Sequence, residues 1–197
     1  MAKNKQFGFF GGSFDPIHFG HLNLAFELME RASLEKVLFC PAFLSPYKQD
    51  KPATTAADNR LEMVKKAIAD IPQFEVLDLE VKKQKVSYTI KTLEELKKTY
   101  PDTDFHLLLA QDILADFTGW KDYKKILTLA SPLIGFRNDI TPAVPEELKF
   151  LLKNKLIPTR QLHISSTSIR DRLKKKLYCS HLMPKQVLDY IYQHKLY

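Results

Sequence analysis

Residues 7–21 read FGFFGGSFDPIHFGH, and this stretch decides which fold the sequence predicts. It opens on an apolar run, breaks at Gly11 and Gly12, and then places His18 and His21 three residues apart. Short apolar runs bounded by turn residues are typical of strands that are buried on both faces of a parallel sheet. The stretch is therefore predicted to be a buried strand that passes through a glycine turn into a helix.

The alternation of short apolar runs and helical stretches continues along the chain. Apolar side chains at helical spacing predict helices from His18 to Ala32 and from Asp58 to Asp70. Alternating strands and helices predict right-handed βαβ units, hence an α/β fold with a doubly wound, mostly parallel sheet and helices on both faces. Such sheets bind ligands beyond the carboxyl ends of their strands. The predicted strands are QFGFF (6–10), KVLFC (36–40), FHLLLA (105–110), PLIGF (132–136) and QLHI (161–164).

Composition limits the class of protein. A chain of 197 residues with 45% hydrophobic residues is predicted to form a single domain over residues 1–197. The net charge of +7 is spread over short lysine pairs beside acidic residues, which indicates solvated helix faces rather than a nucleic-acid surface. Two distant cysteines and no apolar run near the roughly 18 residues of a membrane span predict a reduced, cytoplasmic, soluble protein.

Two segments are predicted to be loops. PAFLSPYKQDKPATTAA (41–57) holds three prolines without a clear period, and a loop of this length often covers a substrate. RNDITPAVPEE (137–147) precedes a short helix near Leu148. No internal repeat or domain linker is recognised.

The end of the first strand has the features of an anion site. Gly11 and Gly12 lack a Cβ, so an anion can approach their amides. Asp15 is predicted to cap the following helix and Pro16 to be its first residue. His18 and His21 then lie on one face of the first turns, where free N–H groups and the helix dipole favour negative charge.

Three other interpretations of this end remain open. The glycines could form only a tight turn, the histidines could be a hydrogen-bonded polar edge, or the His-x-x-His pair could bind a metal. A zinc site needs further ligands, and the neighbouring sequence offers neither a cysteine nor an acidic cluster. The stretch also lacks the lysine of a P-loop and the spacing G-x-G-x-x-G.

A second helix start of this kind lies in HISSTSIRDRL (163–173). Ser166, Thr167 and Ser168 are predicted to cap the helix, with Ser168 and Asp171 matching a capping box, and Arg170 lies on the first turn. The alternative is an ordinary capped helix with a surface arginine. Two helix starts suited to phosphate in one α/β chain predict that both converge on one phosphate site.

The segments GGSFDPIHFGH and ISSTSIR together resemble the nucleotidyltransferase superfamily with the H-x-G-H signature, and within it the bacterial nicotinate mononucleotide adenylyltransferases. VSYTIKTLEELKKTYP, AQDILADFTGWKDYKKIL and LMPKQVLDYIYQHKLY are similar to that family in order and spacing. The resemblance implies a Rossmann-like nucleotidyltransferase fold. It also implies a reaction of NAD biosynthesis, in which ATP and nicotinate mononucleotide give nicotinate adenine dinucleotide and pyrophosphate, with Mg²⁺ accompanying ATP.

The resemblance also implies roles for individual residues. His18 and His21 are the expected catalytic residues, and both donate hydrogen bonds to the α-phosphate. No resident metal ligand is expected, because phosphates and water coordinate Mg²⁺. The residues expected to bind ATP are Gly11, Gly12, Ser13, Phe14, Asp112, Ser166, Thr167 and Arg170.

The expected pyridine site rests on fewer residues. Trp120 is expected to stack on the nicotinate ring, although a single tryptophan is often a core residue. The residues expected to bind nicotinate mononucleotide are Lys48, Tyr88, Thr89, Trp120 and Lys121.

Three positions depart from the family pattern. Tyr47 in SPYK stands where the family has histidine, Ala110 stands where it has glycine, and Lys121 replaces an aromatic residue. A cation at Lys121 would favour the acid over the amide substrate if it points inward.

Two alternatives to this function stay open. One is an adenylyltransferase that uses nicotinamide mononucleotide or both substrates, because the catalytic motifs do not touch the pyridine substituent. The other is a non-catalytic nucleotide-binding or nucleic-acid-binding module. The expected partners are the two small-molecule substrates, without nucleic acid or membrane, and a homo-oligomer is compatible with the sequence.

Overall fold

A computed structural model describes residues 4–47, 53–136, 144–160 and 162–197. Its strands form one six-stranded sheet in the order β3-β2-β1-β4-β5-β6. Two 3-10 turns, Gln111–Ile113 and Phe117–Gly119, follow the fourth strand. The other elements are β1 (Lys5–Gly12), α1 (Phe19–Arg31), β2 (Lys36–Pro41), α2 (Ala57–Ile68), β3 (Phe74–Val76), α3 (Leu79–Lys83), α4 (Thr89–Thr99), β4 (Thr103–Ala110), α5 (Tyr123–Leu129), β5 (Ala130–Phe136), α6 (Glu146–Leu152), β6 (Leu156–Pro158), α7 (Ser166–Lys174) and α8 (Lys185–Gln193).

The sheet order confirms the predicted doubly wound fold. The pairs β1–β4, β4–β5 and β5–β6 are parallel. The chain moves outward from β1 to β3, then returns to place β4 on the other side of β1, which is the strand order of the Rossmann fold. The order therefore reverses at β1, so the loop that follows β1 lies where such sheets bind ligands.

Most predicted elements are confirmed, and one strand is wrong. The helices α1 and α2 begin and end within two residues of their predicted bounds, and α6 is the short helix expected near Leu148. In the segment QLHI, residues 162–164 are irregular and residue 161 lies outside the described residues. The last strand is instead Leu156–Pro158, which is too short to produce a recognisable apolar period, as is Phe74–Val76.

The chain forms two compact units, each built from separate segments. Unit 1 comprises Met1–Phe10, Leu24–Leu38 and Tyr88–Gln161. Its core includes the rings of Phe7, Tyr100 and Phe105, which meet edge to face with centroids between 5.9 and 6.4 Å apart. Such aromatic contacts add to the stabilisation from burial of apolar area.

Unit 2 comprises Gly11–Asn23, Phe39–Ser87 and Leu162–Tyr197. In its core the rings of Phe39 and Phe74 lie 5.1 Å apart. Helix α2 packs against α8, where the Tyr190 hydroxyl donates to Asn59 Oδ1 at 2.9 Å. A single domain over the whole sequence stays a prediction. Among the described residues, no helix combines the length and apolarity that crossing a bilayer needs.

Candidate active site

The loop after β1 turns at Phe14 rather than at the glycines. Gly11 and Gly12 are the last residues of β1, and none of the described glycines has a positive φ. Phe14 does, with φ 47°. A Cβ on Gly12 would lie 3.0 Å from the Phe14 ring, so Gly12 makes room for that ring. The predicted glycine turn is therefore wrong in its location.

Phe14 connects the loop to the second histidine. Its side chain is only 2% exposed, and its ring meets His21 edge to face at 5.2 Å and Phe39 at 5.9 Å. A left-handed backbone is unfavourable for a large non-glycine residue and persists only where the surroundings hold it. Packing of the Phe14 ring supplies that restraint and fixes one side of the His21 imidazole.

Asp15 does not cap a helix, in contrast to the prediction. Helix α1 begins at Phe19, four residues further on, so Pro16 is not its first residue. The Asp15 side chain is buried, and its carboxylate accepts hydrogen bonds from the Thr54 amide and the Tyr197 hydroxyl, both at 2.7 Å. Asp15 thus fixes the loop through contacts distant in sequence, which a local pattern does not reveal.

The two histidines of the motif stack on one another. His18 directly precedes α1, and its ring lies 3.7 Å from that of His21 at an angle of 25°. The His18 amide donates to His21 Nδ1 at 3.3 Å. Because Nδ1 accepts, a neutral His21 carries its proton on Nε2 and can donate from there.

His18 is a buried and uncharged imidazole. It is 4% exposed, and burial lowers its pKa from 6.5 to about 4. Its Nδ1 is buried and has no hydrogen-bond partner among the described residues. A Cβ on Gly20 would lie 3.0 Å from Cε1 and Nδ1 of this ring. The glycine between the histidines therefore leaves space for the His18 imidazole.

The second helix start, at α7, is capped by a residue that the sequence did not indicate. Ser165 is the N-cap, and its side chain accepts from the Ser168 amide at 3.1 Å. The predicted capping by Ser166, Thr167 or Ser168 is wrong, because Ser166 already belongs to the helix. Its hydroxyl instead donates to the Pro16 carbonyl at 2.9 Å.

Arg170 joins the two helix starts. Its Nη1 donates to the Asp15 carbonyl at 2.7 Å and lies 3.8 Å from Asp15 Oδ2. Its Nη2 donates to Thr167 Oγ1 at 3.2 Å. Together with the bond between Ser166 and Pro16, these contacts confirm that the two predicted junctions converge.

Arg60 is a buried cation that the sequence analysis missed. Its guanidinium donates to the carbonyls of Thr55, Ser13 and Phe43 at 3.0, 2.6 and 3.0 Å. Burial lowers its pKa. The available signal was its place on α2, next to Leu61 and one turn before Val64, on the face predicted to be apolar.

A small pocket adjoins Arg60. It is lined by Ser13, Arg60, Ala53 and residues 42–45. Tyr47, which departs from the family pattern, is exposed near this segment. Lys48 lies outside the described residues, and the expectation of a loop that covers the substrate stays a prediction.

The residues expected around the pyridine ring lie in unit 1. Tyr88 and Thr89 begin α4, and Lys121 Nζ lies 4.7 Å from the centroid of the Tyr88 ring. Trp120 is half-buried, with its ring 5.2 Å from Phe117. The structure thus brings Lys121 to Tyr88, and Trp120 is not a fully buried core residue.

Two further expectations concern the nucleoside and the metal. Asp112 is exposed in the 3-10 turn that follows Ala110 at the end of β4. No group of three or more His, Cys, Asp or Glu side chains in the described ranges is arranged to hold a metal ion. The roles predicted for these residues stay predictions.

The sequence of this chain is similar to one protein family and to named relatives. A family profile described as cytidylyltransferase-like matches residues 9–172. The chain is 38% identical to a protein from Methylacidiphilum infernorum named "Probable nicotinate-nucleotide adenylyltransferase", over 95% of this chain and 90% of the relative. It is 35% identical to a protein of the same name from Hydrogenovibrio crunogenus, with both chains covered completely.

Solved structures show the same fold. The chain matches a Plasmodium falciparum nicotinic acid mononucleotide adenylyltransferase complexed with APC, with a TM-score of 0.76 and 22% identity over 98% of this chain and 96% of that chain. The same Plasmodium enzyme complexed with NaAD gives the same TM-score, with 97% of its chain covered.

Proposed function

Because this chain belongs to the cytidylyltransferase-like family, and within it to the nicotinate-nucleotide adenylyltransferases, we propose that it transfers the adenylyl group of ATP to nicotinate mononucleotide. The products are nicotinate adenine dinucleotide and pyrophosphate, which places the reaction in NAD biosynthesis. The observation that carries the proposal is the hydrogen-bonded junction of two helix starts, in which Arg170 binds the Asp15 carbonyl and Ser166 binds the Pro16 carbonyl.

The proposed reaction does not require the protein to accept a proton from the attacking group. A mononucleotide phosphate is already ionised near neutral pH, so its oxygen attacks the α-phosphorus of ATP without a general base. A new P–O bond forms there, the bond from the α-phosphorus to the bridging oxygen breaks, and pyrophosphate leaves with the electron pair. The site must align two polyanions and stabilise the charge on the α-phosphate in the transition state.

The histidine pair suits that stabilising role. His18 is uncharged at neutral pH because burial lowers its pKa to about 4, so its imidazole donates one N–H. His21 donates from Nε2, since its Nδ1 faces the His18 amide. The Phe14 ring packs against His21, and Gly20, which lacks a Cβ, leaves room for the His18 ring that stacks on His21. The two donors are therefore in place before ATP binds.

The leaving pyrophosphate is assigned to the second helix start. Ser166, Thr167 and Arg170 bind the β- and γ-phosphates, with Arg170 held between the Asp15 carbonyl and the Thr167 hydroxyl. Backbone of residues 11–14 contacts the nucleotide, and Asp112 contacts the ribose. Free amides and positive partial charge at the start of a helix favour bound phosphate.

The residues assigned to the pyridine substrate are those that the family resemblance indicates. Trp120 stacks on the nicotinate ring, and the backbone near Tyr88 and Thr89 meets the carboxylate. Lys121, above the Tyr88 ring, supplies a positive charge for the carboxylate, and Lys48 contacts the phosphate.

We propose that Mg²⁺ binds together with ATP. The ion is expected to be coordinated by phosphate oxygens and water. When bound, it neutralises part of the phosphate charge. A cytoplasmic location and small-molecule partners without nucleic acid or membrane complete the proposal, and a homo-oligomer stays a prediction.

The direct test is pyrophosphate release from ATP with each mononucleotide in parallel. We expect release with nicotinate mononucleotide, at a higher kcat/KM than with nicotinamide mononucleotide. A higher value with the amide would replace the substrate assignment with the alternative one. Absence of release with both, together with oligonucleotide binding that weakens steeply with salt, would favour a non-catalytic module.

Replacing either histidine tests the catalytic assignment. We expect His18→Ala and His21→Ala each to lower kcat on the order of 10²-fold, because a preorganised donor to the α-phosphate is lost. His181→Ala is the matched control, since His181 is an exposed histidine of the same unit. Turnover equal to that of the control in a folded variant would remove the histidine from the mechanism.

A further inference from the structure

Tyr197 contacts the catalytic loop from beyond the last helix. The chain turns after α8, where the Leu196 amide donates to the Ile191 carbonyl at 3.0 Å. This turn directs the Tyr197 hydroxyl to Asp15 Oδ1, to which it donates at 2.7 Å. The Tyr197 side chain is half-buried, and burial raises its pKa, so the hydroxyl keeps its proton at neutral pH.

The acceptor of this hydrogen bond, Asp15, is also a hydrogen-bond partner of Arg170. Asp15 accepts from Arg170 Nη1 through its carbonyl, and its carboxylate oxygen Oδ2 lies 3.8 Å from the same nitrogen. The carbonyl of the next residue, Pro16, accepts from Ser166. A shift of the backbone at residues 15 and 16 would therefore displace the acceptors of both phosphate-binding side chains.

Hydrogen bonds to a carboxylate are shorter and stronger than those between neutral groups. Tyr197 and the Thr54 amide each bind one oxygen of the Asp15 carboxylate. With both oxygens bound, the carboxylate keeps its place 3.8 Å from Arg170 Nη1, and residue 15 is tied to residues 54 and 197. An arginine held in this way loses less entropy when it binds phosphate, which improves affinity through preorganisation.

We propose that Tyr197 is a positioning residue for the triphosphate, because its hydroxyl fixes Asp15 and thereby holds Arg170 and Ser166 ready for the β- and γ-phosphates of ATP. The inference rests on the proposed function and adds a residue to the same site. Tyr197 acts through Asp15, and the group that it controls is the pair of phosphate-binding side chains on α7.

The test is Tyr197→Phe, which keeps the ring and removes only the donor. We expect the KM for ATP to rise about tenfold, in line with the strength of a hydrogen bond to a charged group. The KM for nicotinate mononucleotide should change less than about twofold, because the proposed contacts of Arg170 and Ser166 are with ATP and not with the mononucleotide. An unchanged KM for ATP would overturn the inference.

Tyr190→Phe is the matched control. Tyr190 is also half-buried in unit 2, and its hydroxyl donates to Asn59 Oδ1 at 2.9 Å, on the helix pair α2 and α8. Each variant loses a tyrosine hydrogen bond within unit 2, so an effect of general destabilisation on ATP binding would appear in both. A rise in the KM for ATP of the same size in both variants would show a general structural effect and overturn the inference.

The route through Asp15 is tested by a double-mutant cycle. In the combination of Tyr197→Phe with Asp15→Asn, we expect the KM for ATP to equal that of Asp15→Asn alone, because both substitutions act on one contact. If the KM for ATP of the double variant rises by the product of the two factors seen in the single variants, Tyr197 does not act through Asp15.

Two separate measurements distinguish a failure of this inference from a failure of the proposed function. Absence of pyrophosphate release by the unmodified chain would refute the proposed function. The ATP dissociation constant from calorimetry then decides the role of Tyr197, with a roughly tenfold weaker value expected for Tyr197→Phe. Equal constants for this variant and the unmodified chain would overturn the inference.

Discussion

The burial of His18 makes the stability of the protein depend on pH. Burial lowers the pKa of this imidazole to about 4, whereas an unfolded chain protonates it near 6.5. Between these values the unfolded state binds more protons, so stability rises with pH and is lost as the pH falls. The site therefore keeps a neutral donor at the expense of stability in acid.

We expect the unfolding free energy to fall by about 2 kcal/mol from this group between about pH 7 and about pH 5. Urea unfolding at the two pH values measures the difference. His18→Gln should lose correspondingly less than the unmodified chain, and His181→Gln should behave like the unmodified chain. The same loss in His18→Gln would mean that His18 does not titrate as its burial implies.

The glycine between the histidines has a steric role that can be tested. In Gly20→Ala the new Cβ lies 3.0 Å from the His18 ring, which must move away from its place above Gly20. We expect kcat to fall on the order of tenfold, because misplacement of a reacting group by a fraction of an ångström is costly. Gly119→Ala is the control, since a Cβ there meets no atom within 4 Å. Equal rates for the two variants would contradict this role.

In the proposed mechanism, the starts of helices rather than their bodies contact the substrates. Helix α1 begins at the histidine motif and α7 at the serine-rich motif, and hydrogen bonds join the two starts. Amides in the first turn of a helix have no partner inside the helix and can bind phosphate. Two of the amides at these starts are already bound, since Phe19 donates to the Leu182 carbonyl at 2.9 Å and Ser168 to Ser165 Oγ at 3.1 Å. The proposed pyridine site includes the start of α4, where Lys121 lies above the Tyr88 ring.

Lys121 is predicted to set the preference for the acid substrate. In Lys121→Met, we expect the ratio of kcat/KM for the acid over the amide to fall about fivefold, since one partly exposed charge contact is lost. Lys124→Met is the matched control, because Lys124 lies 6.0 Å from the ring of Tyr123. Steady-state rates with both mononucleotides measure the ratio, and an unchanged ratio in Lys121→Met would refute this role.

At the scale of the whole molecule, the buried guanidinium of Arg60 connects separate segments of unit 2, among them the loop after β1. Arg60 binds the carbonyls of Ser13 after β1, Phe43 after β2 and Thr55 before α2. A planar guanidinium can reach acceptors in several directions at once, which lysine cannot do. The fold thus connects three chain segments through a single side chain.

We expect Arg60→Met to lower the unfolding free energy by about 3 kcal/mol, because three carbonyls lose a charged donor. Arg31→Met is the control, since Arg31 is exposed on α1 and binds a single residue, Glu27. Urea-unfolding midpoints compare the two variants. A loss no larger than that of the control would show that water replaces the guanidinium at little cost.

Local patterns predicted much of this protein. The apolar runs predicted four of the six strands, and the spacing of apolar residues predicted α1 and α2 nearly to the residue. Periodicity reports which face of an element is buried, so it is readable from neighbours in sequence. The motifs at residues 11–21 and 165–170 also predicted that two helix starts converge.

The sequence by itself determined the α/β fold, the two motifs and, through their resemblance, the family. Tertiary structure alone decided where the turn lies, what Asp15 binds, and which cation is buried. The reason is physical: Asp15 accepts from residues 155 and 182 positions away, and such partners depend on the path of the whole chain. Local propensity favoured a helix cap at Asp15, and contacts with Thr54, Arg170 and Tyr197 outweighed it.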